Sequence, residues 1–179
     1  KLYCPMKFIF ISEFLESSSL ALWMKLKEKS DVRLVVTDKE HHKILQGIMD
    51  KEDNYLEYLG QKNIFITDDA SSGKLADELR SKGEMVFGGG EVSDRMENER
   101  IFGQEIMKKC GIPTVKSFNF KGDTAFDKAI EFIKKTPQRW VVKQNGDAPK
   151  EYSTVGKFDS GIDVIDKLMD FKHVWTEGI

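Results

Sequence analysis

Cysteine is nearly missing from this chain: Cys4 and Cys110 are its two thiols in 179 residues. They are far apart in a sequence long enough to bury a core without covalent staples, which predicts a reduced, cytoplasmic setting. Histidine is also scarce, and His41, His42 and His173 fall at no spacing suited to zinc, so no metal site is predicted and exposed imidazoles are the expectation. Long apolar runs are absent as well. The N-terminal one, Phe8 to Ile11, is too short for a signal-peptide core, and nothing approaches the roughly 20 residues of a membrane span. No membrane partner is expected. Blocks of one charge sign are lacking too: 28 basic and 30 acidic residues are dispersed to a formal net charge of -2. Nucleic acid is therefore not an expected partner, because binding a phosphate backbone needs a concentrated basic face.

What is present suits a soluble globular protein, 40% hydrophobic and 32% charged, with room for one small domain and part of another. Residues 1 to 5 precede Met6 and are read as upstream extension without functional weight. Lys7 to Ser12 is a compact run of β-formers, as in a buried parallel strand. Ser17 to Ser19 can cap a helix carrying Leu20, Trp23 and Met24. Val32 to Asp38 reads as a second strand, His42 to Met49 as a short helix, and Tyr55 to Gly60 as a helical turn. Ile64 to Thr67 is a third strand, Ser71 to Lys82 a helix ended by Gly83, and Met85 to Gly88 a fourth strand. Strand and helix alternate, which predicts an open parallel α/β sheet with helices on both faces.

Gly88-Gly-Gly90 is the one glycine cluster and falls where the pattern changes. It is read as a domain junction, with a phosphate loop as the alternative. Beyond it, Ser93 to Cys110 reads as a helix stopped by Gly111-Ile-Pro113, Val115 to Phe120 as a strand, and Asp123 to Lys135 as a helix burying Phe126, Ala129, Ile130 and Ile133. Arg139 to Gln144 reads as a strand, and Gly161 to Lys172 as a helix with Ile162, Ile165, Leu168 and Met169 at helical spacing.

Four segments stand in a telling order: Val86-Phe-Gly-Gly, Met96-Glu-Asn-Glu-Arg100-Ile-Phe102, Gly111-Ile-Pro-Thr114 and Trp140-Val-Val-Lys143-Gln-Asn-Gly146. In order and spacing they resemble the phosphoribosylamine–glycine ligases, which read roughly V-F-G-P, L-E-G-S-K-x-F, x-I-P-T and V-V-K-A-D-G. The resemblance runs from about Phe65 to Gly146; earlier it rests on element order and Leu20-Ala-Leu-Trp23. It implies a Rossmann-like pre-ATP-grasp substrate domain over residues 6–90. Residues 91–179 would then be the first, truncated part of an α+β ATP-grasp domain.

The resemblance also implies chemistry. ATP would activate the glycine carboxylate as an acyl phosphate for attack by the amine of phosphoribosylamine, a step of purine nucleotide biosynthesis. Arg100 and Lys143 match the two basic positions that hold ATP phosphates, where fixed cations offset developing charge. Taken alone, Arg100 reads as a residue on a solvated helix face, as most helical arginines do. Lys143 follows a Val-Val pair at a strand mouth, where open α/β sheets place ligands.

Where the family has a glycine-rich phosphate loop, Asp147 to Gly156 has one glycine, a proline and two carboxylates; Lys150, Ser153 and Thr154 are partial substitutes. Ser12 to Ser19 replaces the glycine-rich loop that meets the sugar phosphate. Its serines, Ser18 among them, can donate hydrogen bonds at a helix N-terminus or serve as a plain cap. Asp68 stands where the family places a substrate-site carboxylate. Magnesium or manganese is expected of the full-length family, with its ligands beyond this chain, which by itself is expected to be inactive. Two other readings stay open: an ATP-grasp ligase for a different carboxylate and amine, and a noncatalytic binding module.

Overall fold

A computed structural model describes residues 6–144 and 153–172. The expectations attached to Cys4, to His173 and to the loop from Asp147 through Lys150 to Tyr152 lie outside the described residues. The chain divides into two units, Lys1–Arg95 and Met96–Ile179, each with its own core.

In the first unit, β1 (Lys7–Ser12), β2 (Asp31–Val36), β3 (Lys51–Glu52), β4 (Ile64–Thr67) and β5 (Met85–Phe87) form one sheet in the order β3-β2-β1-β4-β5, with all pairings parallel. β1 is central, and its period of two explains its unbroken apolar sequence. Phe10 packs with Leu34, Ile66 and Ala21 on one face, while Ile9 and Ile11 pack with Phe65, Val35 and Leu79 on the other. Ala21 belongs to α1 (Ser18–Leu26) and Leu79 to α2 (Gly73–Ser81). Both sheet faces are thereby covered, as the alternation of elements requires.

Asp31 begins β2 and receives a hydrogen bond from the Lys7 ammonium of the neighbouring strand, with Arg33 alongside. The Lys7 bond, backed by Arg33, holds the Asp31 carboxyl below the usual aspartate range against an opposing contribution from burial. A carboxylate lowered on folding stabilises the native state above its unfolded pKa, and that stabilisation fades as the pH falls through the lowered folded value. Urea unfolding of wild type and Asp31→Asn is therefore expected to differ near neutrality and to converge in acid. A constant gap across that range would contradict the pairing.

Several local expectations are corrected. The stretch His42 to Met49 is not an α-helix. A 3-10 turn, Lys39–Lys43, is followed by Leu45 at φ 62° and Gly47 at φ 77°, left-handed positions that no α-helix tolerates. The edge strand β3 was too short to leave a sequence period. The single helix expected from Ser93 to Cys110 is two, α3 (Glu91–Asn98) and α4 (Arg100–Lys109), because Glu99 adopts φ -103° and ψ 89°. Close packing accounts for the glycine cluster: a Cβ on Gly88 would stand 2.0 Å from Thr67 Oγ1, and one on Gly90 2.6 Å from Asp77 Oδ1.

In the second unit, α5 (Ala125–Lys135) and α6 (Ile162–Phe171) bury Phe126, Ala129, Ile130 and Ile133 against Val164, Ile165 and Leu168, with Trp140 and Val142 packed on them. The expected face of α5 is realised. On α6, Met169 is instead half exposed and Val164 is buried, because the inward stripe runs 164, 165, 168. The strand expected from Arg139 to Gln144 shrinks to β6 (Val141–Val142), which pairs antiparallel with β7 (Thr154–Val155). The segment 115–120 pairs with no strand among the described residues, and aromatic packing holds it instead. No helix among the described residues is long and apolar enough to cross a membrane.

Candidate nucleotide site

The second unit holds a cavity of about 530 Å³, floored by Ala129 and Ile133 of α5 and walled by the segment 115–120, β6 and the start of α4. Its aromatic wall forms because the rings touch one another. Phe132 lies 4.5 Å from Phe118 and 5.2 Å from Trp140 between ring centroids, and Phe118 and Trp140 meet edge to face at 5.8 Å. The Trp140 indole N–H donates to Thr136 O at 2.9 Å, which leaves the indole as a fixed apolar surface. Ser117 Oγ donates to Gln104 Oε1 at 2.8 Å and ties the irregular segment to α4.

Arg100, Lys116, Arg139 and Lys143 supply the charge of the lining, and among the described residues no aspartate or glutamate lines it. Arg139 is neutralised by Asp159 at 2.7 Å. The other three have no carboxylate within ion-pair distance among the described residues. Uncompensated cations around one concave, partly aromatic surface suit an anion that carries a flat apolar group.

Arg100 is the first residue of α4, and the first turn holds no acidic residue. A cation there opposes the helix dipole, whereas an anion there is favoured by dipole and guanidinium together. The helix is set by Gly103, where a Cβ would stand 2.5 Å from the Met96 carbonyl oxygen. Lys143 follows β6 and is exposed. With a period of two, Val141 and Lys143 share the face opposite Val142, which packs on the helices. Arg100 and Lys143 thus line one cavity. Ser153 and Thr154 are half-buried, with Thr154 opposite Val142 in the ladder, and neither is among the lining residues.

Gln144, next in line, is 4% exposed, and neither Oε1 nor Nε2 has a hydrogen-bond partner among the described residues. Burying an amide without partners costs free energy that an apolar side chain of similar volume does not. Gln144→Leu is expected to raise stability by about 1–2 kcal/mol, read from urea unfolding. A loss of stability would show that the amide is satisfied in solution.

In the first unit, Asp68 follows β4 at the carboxyl edge of the sheet, beside the end of β1, where the strand order reverses direction. Its Oδ2 accepts from Ser12 Oγ at 2.8 Å, from the Ser17 N–H at 2.7 Å and from Ser17 Oγ at 2.6 Å, while its Oδ1 is buried without a partner. Ser18 begins α1, its N–H bonded to Leu15 O, and its side chain takes no part in this cluster. Ser12 and Ser17, not Ser18, are what the fold brings to Asp68.

Lys116, Gln104 and the ring cluster escaped the sequence reading. A signal was available: Lys116, Phe118 and Phe120 alternate directly after Pro113, placing one cation and two rings on one side of an extended segment. Among the described residues, no three His, Cys, Asp or Glu side chains gather as a cation cage.

No family model matches the chain. Phosphoribosylamine–glycine ligase of Clostridium acetobutylicum is 26% identical over 102 residues, covering 55% of this chain and 24% of that protein. N5-carboxyaminoimidazole synthetase from Staphylococcus aureus superposes at TM-score 0.59 with 17% identity, over 98% of this chain and 48% of the other. The biotin carboxylase domain of 2-oxoglutarate carboxylase from Hydrogenobacter thermophilus, solved with MgADP, ADP and bicarbonate, superposes at 0.60 with 14% identity, over 94% and 40%. The chain has the fold of the ATP-grasp-type ligases. It spans about a quarter of the curated relative and less than half of these two solved chains.

Proposed function

We propose that this chain is the ATP-binding front part of a carboxylate–amine ligase, joining glycine to phosphoribosylamine. The observation that carries the reading is the cavity with Arg100 and Lys143 in its lining and no acid among its described residues. In the proposed reaction a glycine carboxylate oxygen attacks the γ-phosphorus of ATP and ADP leaves. The amine of phosphoribosylamine then attacks the acyl carbon, phosphate leaves with the C–O electron pair, and the amine loses a proton. Arg100 and Lys143 offset the negative charge that builds on the transferred phosphoryl group and on the leaving ADP. Thr154 of β7 and Ser153 before it lie outside the cavity lining and are assigned no contact to the phosphates, and the carboxyl edge near Ser18 and Asp68 takes the substrates. The ligase named from Clostridium acetobutylicum supports this choice of pair.

A second reading, a ligase for another carboxylate and amine, draws on Asp68. Its carboxylate already engages the hydroxyls of Ser12 and Ser17, so those groups are not free to donate to a sugar phosphate. ADP release by the protein that carries this chain separates the two. Release that requires both glycine and phosphoribosylamine supports the first. Release with a different pair and none with this one supports the second, and failure of ATP to bind overturns both.

A further inference from the structure

Lys116 stands in the cavity wall with its Nζ 5.1 Å from the centroid of the Phe118 ring. An ammonium over a ring face is attracted by the ring's negative quadrupole, and Phe118 is itself packed between Phe132 and Trp140. The segment that carries Lys116 is pinned at the next residue, since Ser117 bonds to Gln104 one helical turn beyond Arg100. The lysine is in this way carried on a segment tied to α4 and set over the Phe118 ring.

Among the described residues its charge has no counter-ion. Lys116, Arg100 and Lys143 line the same cavity, and among the described residues no acid lines it and none of the three is paired. Like charges gathered on one concave surface repel in the empty state, and a polyanion relieves that repulsion. A solvated lysine needs neither an acid-free surround nor a ring beneath it.

We propose that Lys116 is a third cation holding the phosphates of the bound nucleotide, alongside Arg100 and Lys143. The inference rests on the nucleotide reading of the cavity and adds a residue to it. The ligand class is a nucleoside polyphosphate. Its rings meet the Phe118, Phe132 and Trp140 wall, and its phosphates meet three unpaired cations.

The test is calorimetric titration of ATP into the full chain and its Lys116→Met, Lys116→Arg and Lys128→Met variants at low and moderate salt. Lys128 is an exposed lysine of α5 that does not line the cavity. Lys116→Met is expected to weaken ATP about tenfold at low salt, whereas Lys116→Arg and Lys128→Met stay within about twofold of wild type. The gap between wild type and Lys116→Met narrows as salt rises. Should Lys116→Met fail to fold, acetylation of wild type with and without ATP, mapped by mass spectrometry, decides instead, with ATP protecting Lys116. ATP binding by wild type with undiminished affinity in Lys116→Met, or without protection of Lys116, overturns the role of Lys116 and leaves the nucleotide reading standing. No ATP binding by wild type overturns both.

Discussion

Lys143→Ala is expected to weaken ATP binding by about 2 kcal/mol, roughly thirtyfold, the worth of a charge-assisted contact to phosphate. Lys143→Glu is expected to weaken it further, since it replaces a lining cation by a carboxylate. Both variants should melt with wild type, because Lys143 is exposed and unpaired among the described residues, and surface changes of that kind cost about 0.5 kcal/mol or less. Titration calorimetry and thermal melting read the two quantities separately. Unchanged affinity would remove Lys143 from the site, and a large fall in melting temperature would recast it as a structural residue.

Leu168→Ala is expected to have the larger effect on stability, about 2–5 kcal/mol. Leu168 is 1% exposed, in the cluster where α6 meets α5 and the inward residues of β6. A methyl in place of an isobutyl group there leaves a cavity that two helices and a short hairpin cannot fill by small shifts. Met169, its neighbour, is 51% exposed, and Met169→Ala is expected to change stability by about 0.5 kcal/mol or less. Urea unfolding of the pair reads the contrast directly, and equal losses would contradict the packing described. The first unit has a separate core around Phe10 and Ile9, so any transition belonging to that core should not move in Leu168→Ala.

The Met169 contrast shows where the sequence stopped being informative. Periodicity placed α5 correctly because four apolar residues at helical spacing stand among charged ones. On α6 the pattern admitted two overlapping stripes, and contact with Trp140, Val142 and α5 selects the one that contains Val164. The parallel sheet was legible for a comparable reason: β1, β4 and the Leu34 to Val36 half of β2 are buried on both faces, and such strands read as near-continuous apolar runs. β3, β6 and β7 contain two residues each, too few to impose any period. The stretch His42 to Met49 misled because its apolar spacing suits a helix, whereas Leu45 and Gly47 take left-handed backbone angles that a side-chain pattern does not reveal.

The candidate site was legible in part and for local reasons. Lys143 stood out by following a Val-Val pair, and Arg100 by its place in a spaced set of segments. That both line one cavity depends on the break at Glu99 and on the close approach at Gly103, neither of which has a sequence period. Lys116 was hidden inside a segment read as a strand, since an alternating stretch that packs through its rings looks the same in sequence as one that pairs through its backbone. At the carboxyl edge of the first sheet, the serine run pointed to Ser18. The N-cap position and the bend after β1 bring Ser17 and Ser12 to Asp68 instead.

Backbone and indole NMR of the chain during an ATP titration tests the central claim most directly. The account predicts saturable shifts at Arg100, at residues 115–118, at Lys143 and at the Trp140 indole, with the Phe10 and Ile9 core of the first unit unmoved. Saturable binding that leaves Arg100, Lys143 and Trp140 unshifted, with changes at other positions, would contradict it.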